Sequence, residues 1–252
     1  MTKLKDITDF FETFAPVDTA MDFDNVGLLV GDKNAAVNKV LLALDITAEV
    51  VFEAEKLGCE LIISHHPVIF SPLKRLCKDS VPYLLAEKNI AALCMHTNLD
   101  LSEKFGVNTC LAKAVGVNNP ILSEQGECLF LGQLESEMSM QDFVSKAKVA
   151  LGCEGMRYTD VKKVVKDIAV SSGSGGSNVF AAAQIGADVI ITGEIKHHEI
   201  NAANELGINI VDVGHFKSED IVILPLLHKL SEQFSEIIFT KSTTYSDKIK
   251  FI

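Results

Sequence analysis

The chain has no tryptophan, and only 7% of its 252 residues are aromatic although 48% are hydrophobic. An interior so poor in rings must be filled by Ala, Val, Ile and Leu, as in soluble globular proteins. No apolar run approaches the roughly 18 residues that a membrane-spanning helix needs. The opening Met1-Thr2-Lys3-Leu4-Lys5-Asp6-Ile7 lacks the apolar core of a secretory signal, so a cytoplasmic protein is expected. Cysteine is present at six scattered positions (Cys59, Cys77, Cys94, Cys110, Cys128 and Cys153) without a C-x-x-C pair, which excludes a zinc ribbon and predicts reduced, mostly buried thiols. Positive charge is scarce. A formal charge of −11 works against nucleic-acid binding, which rests on Lys and Arg neutralising phosphates. The compact cationic clusters, Lys74-Arg75 and Lys196-His197-His198, read as solvated surface.

What the chain does have is a short apolar run, Leu61-Ile62-Ile63-Ser64, that ends in His65-His66-Pro67. Such a run bounded by breakers predicts a strand covered on both faces, and the histidines then lie at its C-terminal end, where open α/β sheets gather ligands. Two further histidines carry an acid four places on, His96-x-x-x-Asp100 and His215-x-x-x-Glu219. On a helical turn that spacing puts imidazole and carboxylate on one face, able to serve one ion.

The surrounding pattern is α/β. An amphipathic helix over Leu4 to Phe14 precedes a turn at Asp22-Phe23-Asp24-Asn25, whose two acids either touch the metal region or, the favoured reading, serve as turn chemistry. Strands are predicted at 39–45, 61–64, 90–95, 127–134, 164–170, 189–192, 208–213 and 237–240. Helices are predicted at 47–57, 81–87, 108–115, 139–151, 178–185, 194–206 and 218–234, the last kinked at Pro225. Val51 to Ser64 lies on Val179 to Thr192 without a gap, at a constant offset of 128 residues, so helix, glycine turn and strand recur in register. The expected architecture is two related α/β lobes, 1–125 and 126–252, with a metal site in the cleft between them.

Imidazole and carboxylate without thiolate suit Zn, Mn, Fe, Co or Ni, and the pattern does not choose among them. His65, His66, Asp100, His215 and Glu219 are more groups than one open zinc site needs, and suit two divalent ions activating water for hydrolysis. His96, at a similar strand end, is a candidate for orienting a ligand by hydrogen bonding. Ser171-Ser172-Gly173-Ser174-Gly175-Gly176-Ser177 joins a strand to a helix and can present N–H groups to an anion, with Ser174, Gly175 and Gly176 as weak substrate-binding candidates. The stretch lacks the lysine of a P-loop. His197 and His198 are candidate acid/base groups or exposed helix histidines.

Asp24-Asn25-Val26-Gly27-Leu28-Leu29-Val30-Gly31, Ile63 to Phe70, His96 to Asp100, Gly193 to His198 and Gly214 to Glu219 occur in this order along nearly the whole chain. Together they resemble the GTP cyclohydrolase 1 type 2 family, also called the NGG-interacting-factor-three-like family, in its short form. The resemblance implies a two-lobed α/β fold, a dinuclear metal centre at His65, His66, Asp100, His215 and Glu219, and a toroidal homohexamer. It also implies opening of the guanine imidazole ring of GTP by metal-activated water. Phe23 stands where the family pattern often has Trp. A metal-dependent phosphoesterase and a non-enzymatic metal-binding scaffold are the competing functions.

Overall fold

A computed structural model describes residues 1–252. The chain forms two compact units. The first comprises Met1–Leu99 and Ile223–Ser246, the second Asp100–Val222 and Asp247–Ile252. This differs from the expected halves at 125/126, because the chain returns to its first sheet after completing the second.

In chain order the first unit holds α1 (Leu4–Phe11), β1 (Gly27–Val30), β2 (Lys39–Ala43), α2 (Ala48–Leu57), β3 (Leu61–Ser64), α3 (Val81–Glu87) and β4 (Ala91–Cys94), followed by the turn α4 (Thr97–Asp100). The second holds α5 (Val107–Ala114), β5 (Val117–Leu122), β6 (Phe130–Ser139), α6 (Met140–Ala150), β7 (Arg157–Tyr158), β8 (Val164–Ser171), α7 (Val179–Ile185), β9 (Val189–Thr192), α8 (His197–Leu206), β10 (Asn209–Asp212) and α9 (His215–Glu219). The chain then adds α10 (Ile223–Gln233) and β11 (Ile238–Lys241) to the first.

The first sheet runs β1-β4-β3-β2-β11, with β1 antiparallel and its other strands parallel. β3 and β4 are buried along their full length, as covered parallel strands must be. Thr47 Oγ1 caps α2 by accepting the Val50 N–H, and Gly58 ends the helix in the left-handed region at φ 69°. Leu41, Ile62, Leu85 and Ala92 belong to the core cluster of this unit.

The second sheet runs β5-β6-β8-β9-β10-β7, with β8, β9 and β10 parallel. Strand alternation divides its interior: Val170, Ile191 and Val211 pack with Phe130 and Phe143, whereas Ala169, Ile190 and Ile210 pack with Val179 and Ala203. The internal repeat is visible in both sheets. β2-β3-β4 and β8-β9-β10 are each a parallel trio with an antiparallel strand beside the third member, β1 on β4 and β7 on β10. The glycine turn recurs too, Gly186 taking φ 92° where Gly58 takes 69°.

Two sequence expectations are corrected. The helix expected over 218–234 is α9, a short 3-10 turn at Asp220–Val222, and α10. Pro225 therefore stands in the first turn of α10, where no backbone donor is needed, rather than at a kink. Of the six cysteines, Cys59, Cys94 and Cys153 are buried, Cys77 is exposed, and Cys110 and Cys128 are intermediate.

Glu53 of α2 ties the segment after β11 to the first unit. Its carboxylate accepts the Thr243 N–H at 2.9 Å and the hydroxyls of Ser242, Thr243 and Thr244. Burial opposes its charge, but these bonds outweigh burial and hold the carboxyl down to about 2. A carboxyl depressed in the folded state contributes stability above its ordinary value and loses it as pH falls. Glu53→Gln is therefore expected to flatten the acid-side loss of stability between about pH 4.5 and about 2. Urea midpoints across that window check this, and parallel decline of parent and variant would count against it.

Candidate metal centre

The parallel trio β2-β3-β4 delivers polar residues at one sheet edge. After β3 the chain turns at once: Ser64 Oγ donates to the His66 carbonyl at 2.8 Å, and the His66 N–H donates to the Leu44 carbonyl at 3.0 Å. His65 is 1% exposed, and its Nδ1 lies 2.8 Å from the Met95 carbonyl. A carbonyl can only accept, so Nδ1 carries the proton and Nε2 the lone pair. His66 Nδ1 lies 2.9 Å from Asp45 Oδ1, which follows β2. His96 Nδ1 lies 3.0 Å from both oxygens of Asp24. The same argument makes Nδ1 the donor in each of these rings and turns Nε2 away from the carboxylate. Burial pushes the Asp24 carboxyl up, but bonds from His96, the Thr97 hydroxyl and the Thr97 N–H overcome it, and the group rests well below the usual carboxylate range.

One donor atom from each of His65, His66 and His96 lies within 4.8 Å of the others. Three nitrogens on one tetrahedral zinc stand roughly 3.3 Å apart, so the rings would draw inward around an ion. Such a donor set could hold a metal ion. His96 thus belongs with the paired histidines, and of the two readings of Asp24, turn chemistry or contact with the metal region, the second holds for its side chain, since the carboxylate orients an imidazole.

The second unit places its chemistry after β8, β9 and β10. His215 opens α9, with Nδ1 2.7 Å from Glu194 Oε1 and Nε2 3.0 Å from Glu219 Oε2 one helical turn on. The hydrogen bond His215 donates to Glu219 and the charge of that carboxylate, with those of Glu194, raise His215 to about 9 against the opposing effect of burial. Glu219 is 4% exposed. An imidazolium held between two carboxylates has the charge balance of a cation site whose cation is a proton, and metal binding at such sites releases that proton.

Close backbone packing shapes this corner. Ser218 Oγ accepts the Gly173 N–H at 2.9 Å and donates to the His215 carbonyl at 2.7 Å. A Cβ at Gly173, where φ is +57°, would collide with Glu219 Oε1. Asp100 ends α4 and is 8% exposed. Its carbonyl accepts from Asn108 Nδ2 at 3.2 Å, while Asn108 Oδ1 accepts the Ser172 N–H at 2.8 Å, fixing Asp100 to the loop after β8.

Ser174 donates to Glu194 Oε2 at 2.9 Å, so it supports the carboxylate that holds His215. Gly175 and Gly176 lack side chains for packing reasons. A Cβ on Gly176 would stand 2.6 Å from the Glu194 carbonyl, and one on Gly175 would press on Ser171 and Thr192. His197 and His198 open α8 and are exposed, His198 lying 4.0 Å from Glu199.

Sequence reasoning missed Asp45, Asn108 and Glu194. For Glu194 a signal existed: the 128-residue offset lays it on His66.

The model of the Duf34/NIF3 (NGG1p interacting factor 3) family matches residues 2–248. The chain belongs to this family. It is 37% identical over 263 residues to a Clostridium perfringens protein named GTP cyclohydrolase 1 type 2 homolog, covering 99% of this chain and 100% of that one. It is 34% identical over 244 residues to the protein of that name from Clostridium acetobutylicum, covering 90% and 89%. Among solved structures, Staphylococcus aureus protein SA1388 superposes with a TM-score of 0.88 at 28% identity, over 100% of this chain and 99% of that one. No helix of this Duf34/NIF3 member is long and apolar enough to cross a membrane.

Proposed function

We propose that this protein is a metal-dependent hydrolase of purine nucleotides that opens the imidazole ring of GTP or a related nucleotide. In this reading His65, His66, Asp100, His215 and Glu219 hold two divalent ions per chain, with His96 as a further donor. The observation that carries it is the uniform treatment of the four imidazoles: each has Nδ1 committed to a carbonyl or carboxylate, the partner pattern that orients histidines toward metals. The relatives' name, GTP cyclohydrolase 1 type 2 homolog, supplies the substrate class.

Bound divalent ions in such a set lower the pKa of water and polarise an electrophilic carbon. The chain's own residues prepare for this. Asp24, Asp45 and Glu194 hold the Nδ1 protons and fix each ring plane. Their negative charge raises the basicity of the imidazoles and lessens the repulsion between bound cations. Burial of His65, Asp100 and Glu219 keeps bulk water from competing for those groups.

The test is to incubate metal-loaded protein with GTP while following purine absorbance and phosphate release. Metal-dependent loss of the purine absorbance is expected, falling by at least about a hundredfold in Glu219→Gln. Phosphate release with the purine intact would replace the reading by a phosphoesterase. Metal binding without turnover across a nucleotide panel would replace it by a scaffold.

A further inference from the structure

Two aromatic side chains stand in water beside the triple-histidine cluster. Phe23 is 58% exposed and Phe70 52% exposed, their ring centroids lie 6.3 Å apart at 49°, and Phe70 meets the His96 ring edge-on at 6.4 Å. Neither is on a loose segment. Asp24, next to Phe23, accepts from His96 and from Thr97. Asn25 Nδ2 donates to the Ile69 carbonyl at 2.6 Å, tying the turn that carries Phe23 to the residue before Phe70. The contacts that orient His96 therefore also hold this aromatic pair open to solvent, where large apolar side chains lose the benefit of burial.

We infer that Phe23 and Phe70 form a ledge that binds the planar heterocycle of the substrate by stacking, presenting it to the His65-His66-His96 cluster. This deepens the purine reading above and rests on it for the class of ring. The inclined rings offer π-faces that accept a flat heterocycle of any sequence of heteroatoms, since stacking is tolerant of the pattern at its edge. The edge-on contact of Phe70 with His96 puts a ring lying on Phe70 next to the imidazoles. The ledge thus supplies position, and the cluster supplies chemistry.

The absence of native tryptophan makes the test clean, because Phe23→Trp introduces a single indole reporter. Emission of this variant, in metal-loaded protein, is expected to fall saturably with guanosine, adenosine, GTP and ATP, and to ignore inorganic tripolyphosphate. Adding Phe70→Leu should raise the half-saturating concentration about tenfold with metal content unchanged, within the usual worth of base–aromatic stacking. Phe70→Trp, read alone, provides the second reporter. Emission unmoved by all four ligands in both reporters overturns the ledge. Emission that shifts on dilution yet ignores every nucleoside also overturns it, and assigns the rings to contact with a second copy of the chain. Turnover of GTP without quenching removes the ledge and leaves the hydrolase. Quenching without turnover keeps the ledge and removes the hydrolase.

Discussion

Replacing His65 with alanine is expected to strip metal from the protein more thoroughly than any change to the carboxylates behind the imidazoles. His65 is buried, its ring is fixed by the Met95 carbonyl at 2.8 Å, and its donor is one of three within 4.8 Å of one another. Losing a partner behind a ligand costs about ten- to a hundredfold in affinity, and losing the ligand itself should exceed that range. Asp24→Asn provides the comparison, since the amide still reaches His96 but brings no charge. His65→Ala also leaves the Met95 carbonyl without its imidazole donor and opens a small cavity, together destabilising the fold by about 2 kcal/mol. Elemental analysis after gel filtration reads the first effect, and urea unfolding the second. Equal metal per chain in His65→Ala and the parent would remove His65 from the ligand set.

Gly193→Ala is expected to be among the most damaging single-methyl additions to the second unit. Its Cβ would stand 2.5 Å from Ser218 Oγ and 2.8 Å from both the Gly173 carbonyl and the His215 Cα. Two of those three are backbone, which cannot swing aside. Accommodating the methyl must move α9, and with it His215 and Glu219. Overpacking of this kind costs about 2 kcal/mol, which for a protein of this length is roughly 4 to 8 °C in melting temperature. Gly207→Ala separates space from backbone strain: nothing lies within 4 Å of its Cβ, and its φ of +72° carries only the left-handed penalty of about 1 to 2 kcal/mol. A Gly193→Ala protein that melts with the parent would refute the packing argument.

The parallel strands were legible because each is a short apolar run bounded by breakers, and β3, β4, β9 and β10 are buried throughout. β5 was not, since Val117-Asn118-Asn119-Pro120-Ile121-Leu122 carries polar residues and a proline and takes its order from pairing with β6. The compact units differ from the approximate division at 125/126 for a related reason: nothing local in Ile238–Lys241 reveals that it pairs with β2, roughly two hundred residues earlier. Candidate ligands announced themselves through adjacent histidines and the four-residue spacing. Their supports did not. Asp45 and Glu194 are ordinary acids in turns until distant segments converge, although the 128-residue repeat and the Gly193 to His198 segment both pointed toward Glu194, and Asp24 was open to either reading.

The late return of the chain to its first sheet also has a meaning for biosynthesis. While the second unit is being made, the open side of β2 emerges from the ribosome without its neighbour, a bare row of amides and carbonyls of the kind that recruits stray strands. Lys39 at the start of β2 puts one charge on that row, but the edge closes only when Ile238–Lys241 has been translated. Nascent chains truncated before β11 should therefore depend on chaperones in a way that the finished protein does not.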